Sequence, residues 1–413
     1  MTPDLPTLER QVRALVTQDR LEEAETLLRP LVASGSGPLP VWRLLVQVLR
    51  LLGRSAEALP IQRMLVDTVP GDLAARFDLS EILLLRGEFD AGWRAYRYRY
   101  SLPHTARIER KVQRPRWEGE PIPGRTLLIH DEQGYGDTFQ FLRLVPWAKQ
   151  RSGARVVLEI NPETLPLAQR SPLGIDTLIP NGALPPAFDV HCELMSLPMA
   201  LRLQLSDLPG PLPYLAPDPA RLAHWRQRLA GLQRPIVALA WAGRPNHHND
   251  ANRSMPLAAL APLAMPGVSF VAIQKGPAAA QATAPPAGMA LTSLSDEIAG
   301  FDDTAAILSV ADLLVSVDSS PVHLAGALDR PAWVMLPFMP DWRWLEGRSD
   351  TPWYPRHRLF RQPRRGDWAA VVTEVARALR ALATRAPASD HGGIVGDPSC
   401  NTLPRRTSPS SGS

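Results

Sequence analysis

Lysine is almost missing from this chain of 413 residues, which holds only Lys111, Lys149 and Lys275. Its 45 basic residues against 41 acidic ones leave a net charge of +4, carried by arginines scattered along the sequence. A nucleic-acid binder gathers its basic residues on one face, so that class is disfavoured. Cysteine is as scarce. Cys192 and Cys400 lie far apart, the second in a tail without apolar periodicity, which argues against a disulfide framework and against a cysteine-built metal site. Long apolar runs are missing too. None nears the roughly 20 residues of a membrane span, and the opening MTPDLPTLERQVRALV sets charged residues before any apolar stretch, unlike a secretory signal. A reducing, cytoplasmic setting without a transmembrane segment is the expectation. Apolar residues make up 45%, ample for two or three packed domains.

Residues 1–102 read as amphipathic helices with an internal repeat. Gly53 and Gly87 are 34 residues apart, as are Ala24, Ala58 and Gly92 in turn. That period is the tetratricopeptide one. A glycine ends the first helix of each pair, and a small residue five positions on lets the two helices approach closely. Asp19 stands where the turn glycine of the first copy belongs, as suits a terminal repeat. An unrelated helical bundle with accidental spacing is the alternative. A polar linker is expected over 103–123.

From Gly124 the pattern changes to short apolar runs alternating with helical segments: TLLIH, RVVLEI, PIVALAW, VSFVAI, DLLVSVD and AWVMLP. Such alternation predicts parallel sheets in α/β domains. The Pro-rich stretch near 210–220 divides them into a first Rossmann-like lobe at 124–215 and a second at 216–385. Residues 386–413 lack periodicity and are expected to be disordered.

Two turns could carry chemistry. In IHDEQGYGDTFQFLR a strand ends at His130, Gly134 and Gly136 flank Tyr135, and a helix begins near Asp137. A glycine turn at the carboxyl end of a parallel strand is where such sheets place ligands. Asp137 either caps its helix or projects into the cleft as a general base. In VSVDSSPVHLAGALDRPAWVMLP a strand delivers Asp318, then Ser319, Ser320 and Pro321 open a short helix carrying His323. Backbone N–H groups at that helix start, with the two serine hydroxyls, suit a diphosphate, and His323 lies one turn in. The alternative there is plain capping with a packed histidine. Gly243 lies in the loop after PIVALAW, and Arg253 and Lys275 supply cations for phosphate oxygens. Asp302 and Thr304 are candidates for a sugar or ribose hydroxyl. The run HHND lacks partner ligands at metal-binding spacing, so no metal is expected.

With these residues in view the chain resembles glycosyltransferase family 9, the group that contains lipopolysaccharide heptosyltransferases, joined to tetratricopeptide repeats. The blocks that carry the resemblance are EQGYGDTFQFLR, VALAWAGRPNHHNDANRSMPL, FVAIQKG, DDTAAILSVADLLVSVDSSPVHLAGALDRPAWVMLP and DWRWLEGRSDTPWYPRHRLFRQ, within 117–380. The resemblance implies a GT-B-like fold of two Rossmann-like lobes, with the acceptor on the first and the nucleotide-sugar on the second. It implies a metal-independent displacement, with Asp137 as base, Arg253 on the donor phosphate, and Asp318 with His323 at the donor-binding turn. Arg253 stands where heptosyltransferases carry lysine.

The expected activity is transfer of a sugar from a nucleotide-diphosphate sugar, as substrate and not cofactor, to an unknown glycan, lipid-linked or protein acceptor recruited by the repeats. The other class is a repeat scaffold whose transferase-like module binds nucleotide without turnover.

Overall fold

The computed structural model describes residues 4–33, 35, 37–102, 106, 109–247 and 249–384. The tail expected to be disordered, 386–413, and His248 of the HHND run lie outside these residues.

Six helices come first: α1 (Leu5–Thr17), α2 (Leu21–Val32), α3 (Leu39–Leu51), α4 (Ser55–Thr68), α5 (Leu73–Leu85) and α6 (Phe89–Tyr96). The first helix of each pair ends in the same way. Asp19, Gly53 and Gly87 take left-handed backbone conformations, with φ of 59°, 69° and 79°. The next residue's N–H then reaches back to a carbonyl five positions earlier: Arg20 to Leu15, Arg54 to Leu49, Glu88 to Leu83, at 2.8–2.9 Å. This termination satisfies carbonyls that a helix end would orphan. Asp19 adopts the left-handed conformation that its two glycine counterparts adopt more easily. The small residues behave as expected at the second helices. Ala24 and Ala58 are wholly buried, and a methyl group at Gly92 would stand 2.7 Å from the Leu84 side chain. Ion pairs such as Arg54–Glu25 and Arg50–Glu81, each 2.6 Å, tie successive pairs together.

Two parallel sheets follow. The first has the strand order β3-β2-β1-β4, from β1 (Thr126–His130), β2 (Arg155–Ile160), β3 (Thr177–Pro180) and β4 (Val190–Glu193). The second has the order β10-β9-β8-β5-β6-β7, from β5 (Ile236–Ala240), β6 (Ser269–Ala272), β7 (Leu291–Ser293), β8 (Leu313–Val317), β9 (Ala332–Leu336) and β10 (His357–Arg361). The central strands β5 and β8 are buried at every position, as near-continuous apolar runs require when helices cover both faces. In each sheet the winding direction reverses once, between β1 and β4 and between β5 and β8. A crevice opens outside the carboxyl ends of the strands at such a reversal.

Helices α7 (Tyr135–Phe141), α8 (Val145–Ser152), α9 (Leu165–Arg170) and α10 (Leu197–Leu201) accompany the first sheet, and α11 (Pro219–Leu229), α12 (Asp250–Arg253), α13 (Phe301–Val310), α14 (Ser320–Ala327) and α15 (Trp368–Ala383) the second. No helix among the described residues is long and apolar enough to cross a membrane.

Within the stretch 103–123, described residues pack on the first sheet. Arg116 forms a parallel bridge with His191, Trp117 is wholly buried, and the Trp117 N–H donates to the His191 carbonyl at 2.8 Å. Two apolar side chains, Trp117 and Ile122, are enough to fasten this polar-looking segment to the first sheet. The helical region is not set apart from the sheets either. Phe77, Phe89, Trp93 and Tyr96 share one core with Phe141, Trp342 and Trp353, and the Trp93 ring meets Trp342 edge to face at 5.2 Å.

Candidate active site

The carboxyl end of β1 leads through Gly134 into α7. There Asp137 uses both oxygens. Oδ2 accepts the Gly134 N–H at 2.9 Å, which is the capping role read from the sequence. Oδ1 accepts from Arg343, a residue brought in from beyond β9. Burial raises the Asp137 carboxyl above its ordinary range, and Arg343 opposes that rise.

At the second sheet's reversal, β8 is followed by Asp318 and Ser319, and α14 begins at Ser320. Arg253 crosses from α12 and donates to the Asp318 carbonyl at 3.1 Å. It passes directly over Gly243, where an added methyl group would meet its guanidinium at 2.6 Å. Gln274 locks the end of β5 by accepting the Trp241 and Ala242 N–H groups, each at 2.9 Å. The Ser319 hydroxyl is within 3.2 Å of the Ser316 hydroxyl and donates to the Val317 carbonyl at 3.2 Å. His323 is buried and stacks on Trp344 at 5.5 Å. Its Nδ1 lies 3.0 Å from the Tyr354 hydroxyl, and its Nε2 lies 3.9 Å from Asp318 Oδ1. Burial pushes the imidazole well below its ordinary range, helped by Arg343, so it is neutral near pH 7. Burial and the neighbouring Asp341 raise the Asp318 carboxyl.

The two turns meet. A methyl group added at Gly136 would stand 2.9 Å from His323 Cδ2 and 3.6 Å from Ser320 Cα. Asp137, Arg253, Asp318, Ser319, Ser320 and His323, drawn from both sheets, therefore gather at one junction.

Other expected residues are engaged elsewhere. Lys275 Nζ donates to the Ser295 and Ile298 carbonyls at 2.7 and 3.0 Å, fastening the loop after β7. A phosphate would have to displace those bonds. Asp302 forms an ion pair with Arg170 of α9. Thr304 is buried and donates to the Gly300 carbonyl at 3.4 Å. Asp303 accepts from the Ala299 N–H at 2.8 Å and from Arg221 and Trp225.

Sequence reasoning missed Arg343, Gln274 and Tyr354. DWRW and WYP stood inside a block noted for its resemblance, but nothing local ties them to Asp137. Gly326 was missed as well. A methyl group there would stand 2.1 Å from the Tyr354 ring, so glycine is what lets Tyr354 reach His323.

Two features lie apart from this junction. A cavity of about 510 Å³ at the carboxyl ends of β1, β2 and β3 is lined by residues including His130, Glu132, Glu159 and Asn181. Beside it the ligand atoms of His130, His191 and Glu193 lie within 4.8 Å of one another. These groups already have partners: His130 Nε2 is 3.2 Å from His191 Nδ1, and both Glu193 oxygens accept from Arg116 at 2.6 and 3.0 Å.

With this geometry in place, comparisons with known proteins bear on the same turn. The family model described as glycosyltransferase family 9 (heptosyltransferase) matches residues 291–333, which run from β7 through α13, β8 and α14 into β9. Protein FlbA of Caulobacter vibrioides is 30% identical over 342 residues, 76% of this chain and 56% of FlbA. The chain thus spans little more than half the length of that curated relative. Among solved structures, the E. coli ADP-heptose lipopolysaccharide heptosyltransferase II is 16% identical, with a TM-score of 0.48 over 63% of this chain and 99% of that one. A family 9 glycosyl transferase from Veillonella parvula is 10% identical, with a TM-score of 0.47 over 65% of this chain and all of the other. The family 9 match falls on one of the blocks that carry the resemblance read from the motifs, and it includes the strand β8 and the helix α14 beside Asp318 and His323.

Proposed function

We propose that this chain is a glycosyltransferase of two Rossmann-like lobes in GT-B-like arrangement, preceded by tetratricopeptide-type repeats. It transfers a sugar from a nucleotide-diphosphate sugar to a hydroxyl of an acceptor, in the cytoplasm. The observation that carries this reading is the meeting of Asp137, on the first sheet's turn, with the Ser319–His323 helix start and Arg253 on the second.

In this reading the donor diphosphate sits at the start of α14, where the helix dipole favours an anion, with the Ser319 and Ser320 N–H groups as its backbone donors because Pro321 has none and the Val322 N–H donates to the Ser319 carbonyl at 3.0 Å. Arg253 adds charge as the diphosphate departs, and Asp137 takes the acceptor proton as its oxygen attacks the anomeric carbon. Leaving-group charge is balanced by these protein groups, without a metal. The acceptor approaches from the first lobe, and the helical repeats offer it an extended surface.

A panel of nucleoside diphosphates and nucleotide sugars in a thermal-shift assay tests the donor site. A ligand at 100 times its Kd stabilises the native state by about 2.7 kcal/mol. Selective stabilisation by one base, followed by release of that nucleoside diphosphate on turnover, is expected. No response to any member would sink the reading.

The second reading, a scaffold that binds nucleotide without turnover, draws on one observation. Asp137 has a partner on each oxygen, and the Gly136–His323 contact is closed. Donor binding with no sugar transfer or hydrolysis would select it.

A further inference from the structure

Arg343 engages all three guanidinium nitrogens, two of them across the junction between the sheets. It lies on a single helical turn, Trp342–Trp344, beyond β9, and its side chain is 9% exposed. Nη2 donates to Asp137 Oδ1, and Nε donates to Gln140 Oε1 at 2.8 Å. Asp137 and Gln140 are three apart on α7 and so share one face. Nη1 donates to Asp341 Oδ1 at 2.8 Å. The guanidinium also lies 4.2 Å from the Trp342 ring centroid, and that ring is held by Trp93. A planar fork fixed on every side sets the position of what it binds, which a lysine's single point charge does less well.

We propose that Arg343 is the positioning residue of the base: it holds the Asp137 carboxylate in place beside the Ser320–His323 helix start and in its charged form. This rests on the reading of Asp137 as base given above. The other groups facing the pair are Asp341, Arg253, Tyr96, Glu132, Asp318 and His323. Asp341 is the more exposed of the two carboxylates that Arg343 binds, so loss of the guanidinium falls hardest on Asp137. Burial then acts on Asp137 without its main counter-charge and raises the pH at which it takes a proton.

The test uses the full chain with Arg343→Gln, Arg343→Lys, Asp137→Asn and the double variant Arg343→Gln/Asp137→Asn. Melting temperatures need no substrate. At pH 8 Arg343→Gln should melt lower than wild type, by a smaller margin at pH 5, and Asp137→Asn should restore part of the loss. With the nucleotide sugar that the panel selects, the acid limb of kcat/KM should move up by about one pH unit or more in Arg343→Gln and return toward wild type in Arg343→Lys. A melting loss that is the same at both pH values and unrelieved by Asp137→Asn overturns the proposal, and so does an unmoved acid limb. If wild type turns over no nucleotide sugar, the reading of the reaction fails and the positioning role with it. Relief by Asp137→Asn would in that case still show the pairing itself.

Discussion

Gly136 lies against His323 so closely that a β-carbon on it would stand 2.9 Å from the imidazole Cδ2. The contact joins α7 of the first sheet to α14 of the second. Gly136→Ala must push back a buried ring that is also held by Tyr354 and Trp344. Overpacking of this kind costs about 1–3 kcal/mol. Denaturant unfolding should show that loss, and donor affinity should fall with it. Unchanged stability would mean that the two turns separate easily.

Arg253 is the cation placed at the second sheet's reversal, fixed by Asp250 and the Asp318 carbonyl. A charge-assisted hydrogen bond contributes about 1.5–3 kcal/mol. Arg253→Ala should weaken the best nucleotide ligand roughly tenfold to a hundredfold by calorimetry. An unaltered Kd would remove Arg253 from the donor site.

Lys275→Met separates two readings of one residue. If Lys275 serves as a loop fastener, two charge-assisted hydrogen bonds of roughly 1.5–3 kcal/mol each are lost, and nucleotide affinity changes little. A tenfold loss of nucleotide affinity at unchanged melting temperature would restore the phosphate role.

Asp137→Asn keeps the side chain's size and much of its capping contact with Gly134. Removing a general base should lower turnover by about 10²–10⁴-fold while donor affinity holds. Near-normal turnover would leave Asp137 as a cap only.

Burial holds His130, His191, His323 and His357 below the ordinary imidazole range, His357 at about 3. At these imidazoles the unfolded chain therefore binds more protons than the folded one below about pH 6.5, and they withdraw stability as pH drops from there. His130 and His357, both held at about 3, each contribute about 1.4 kcal/mol per pH unit down to about pH 3. Glu132, Asp78 and Asp318 work in the opposite sense. Burial lifts Glu132 to about 8 and the two aspartates to about 6, so they withdraw stability as pH rises from about 4 through those values and offset the imidazoles between about pH 4 and 6.5. Melting temperature should fall most steeply below about pH 4, where these carboxyls are protonated in the unfolded chain too. No fall between about pH 4 and 3 would contradict the buried neutral imidazoles.

Strands β1, β2, β5, β6, β8 and β9 were legible because each is a short apolar run, and the helix turns because a left-handed residue recurs every 34 positions; β3, β4, β7 and β10 were not, being short or broken by polar residues. The order of strands was not, since nothing local says that β8 lies beside β5. The attachment of the stretch before β1 was not legible, because Trp117 and Ile122, which are buried, stand among charges and prolines. The contacts of Lys275 were not legible for a related reason: a cation after a strand suggests phosphate, while the Ser295 and Ile298 carbonyls that it binds carry no mark in the sequence. Asp137 and Arg343 are 206 positions apart, and only the folded chain shows that one answers the other.

The seating of Trp93 against Trp342 also bears on how the chain is made. About 250 residues separate the two, and synthesis at about 5–20 residues per second leaves roughly 12–50 s between their appearances. For that interval α5 and α6 expose on the ribosome the aromatic face that the finished molecule covers. A nascent chain stalled short of residue 340 should therefore be cut by protease at α6, or be held by a chaperone, whereas the completed chain resists cleavage there.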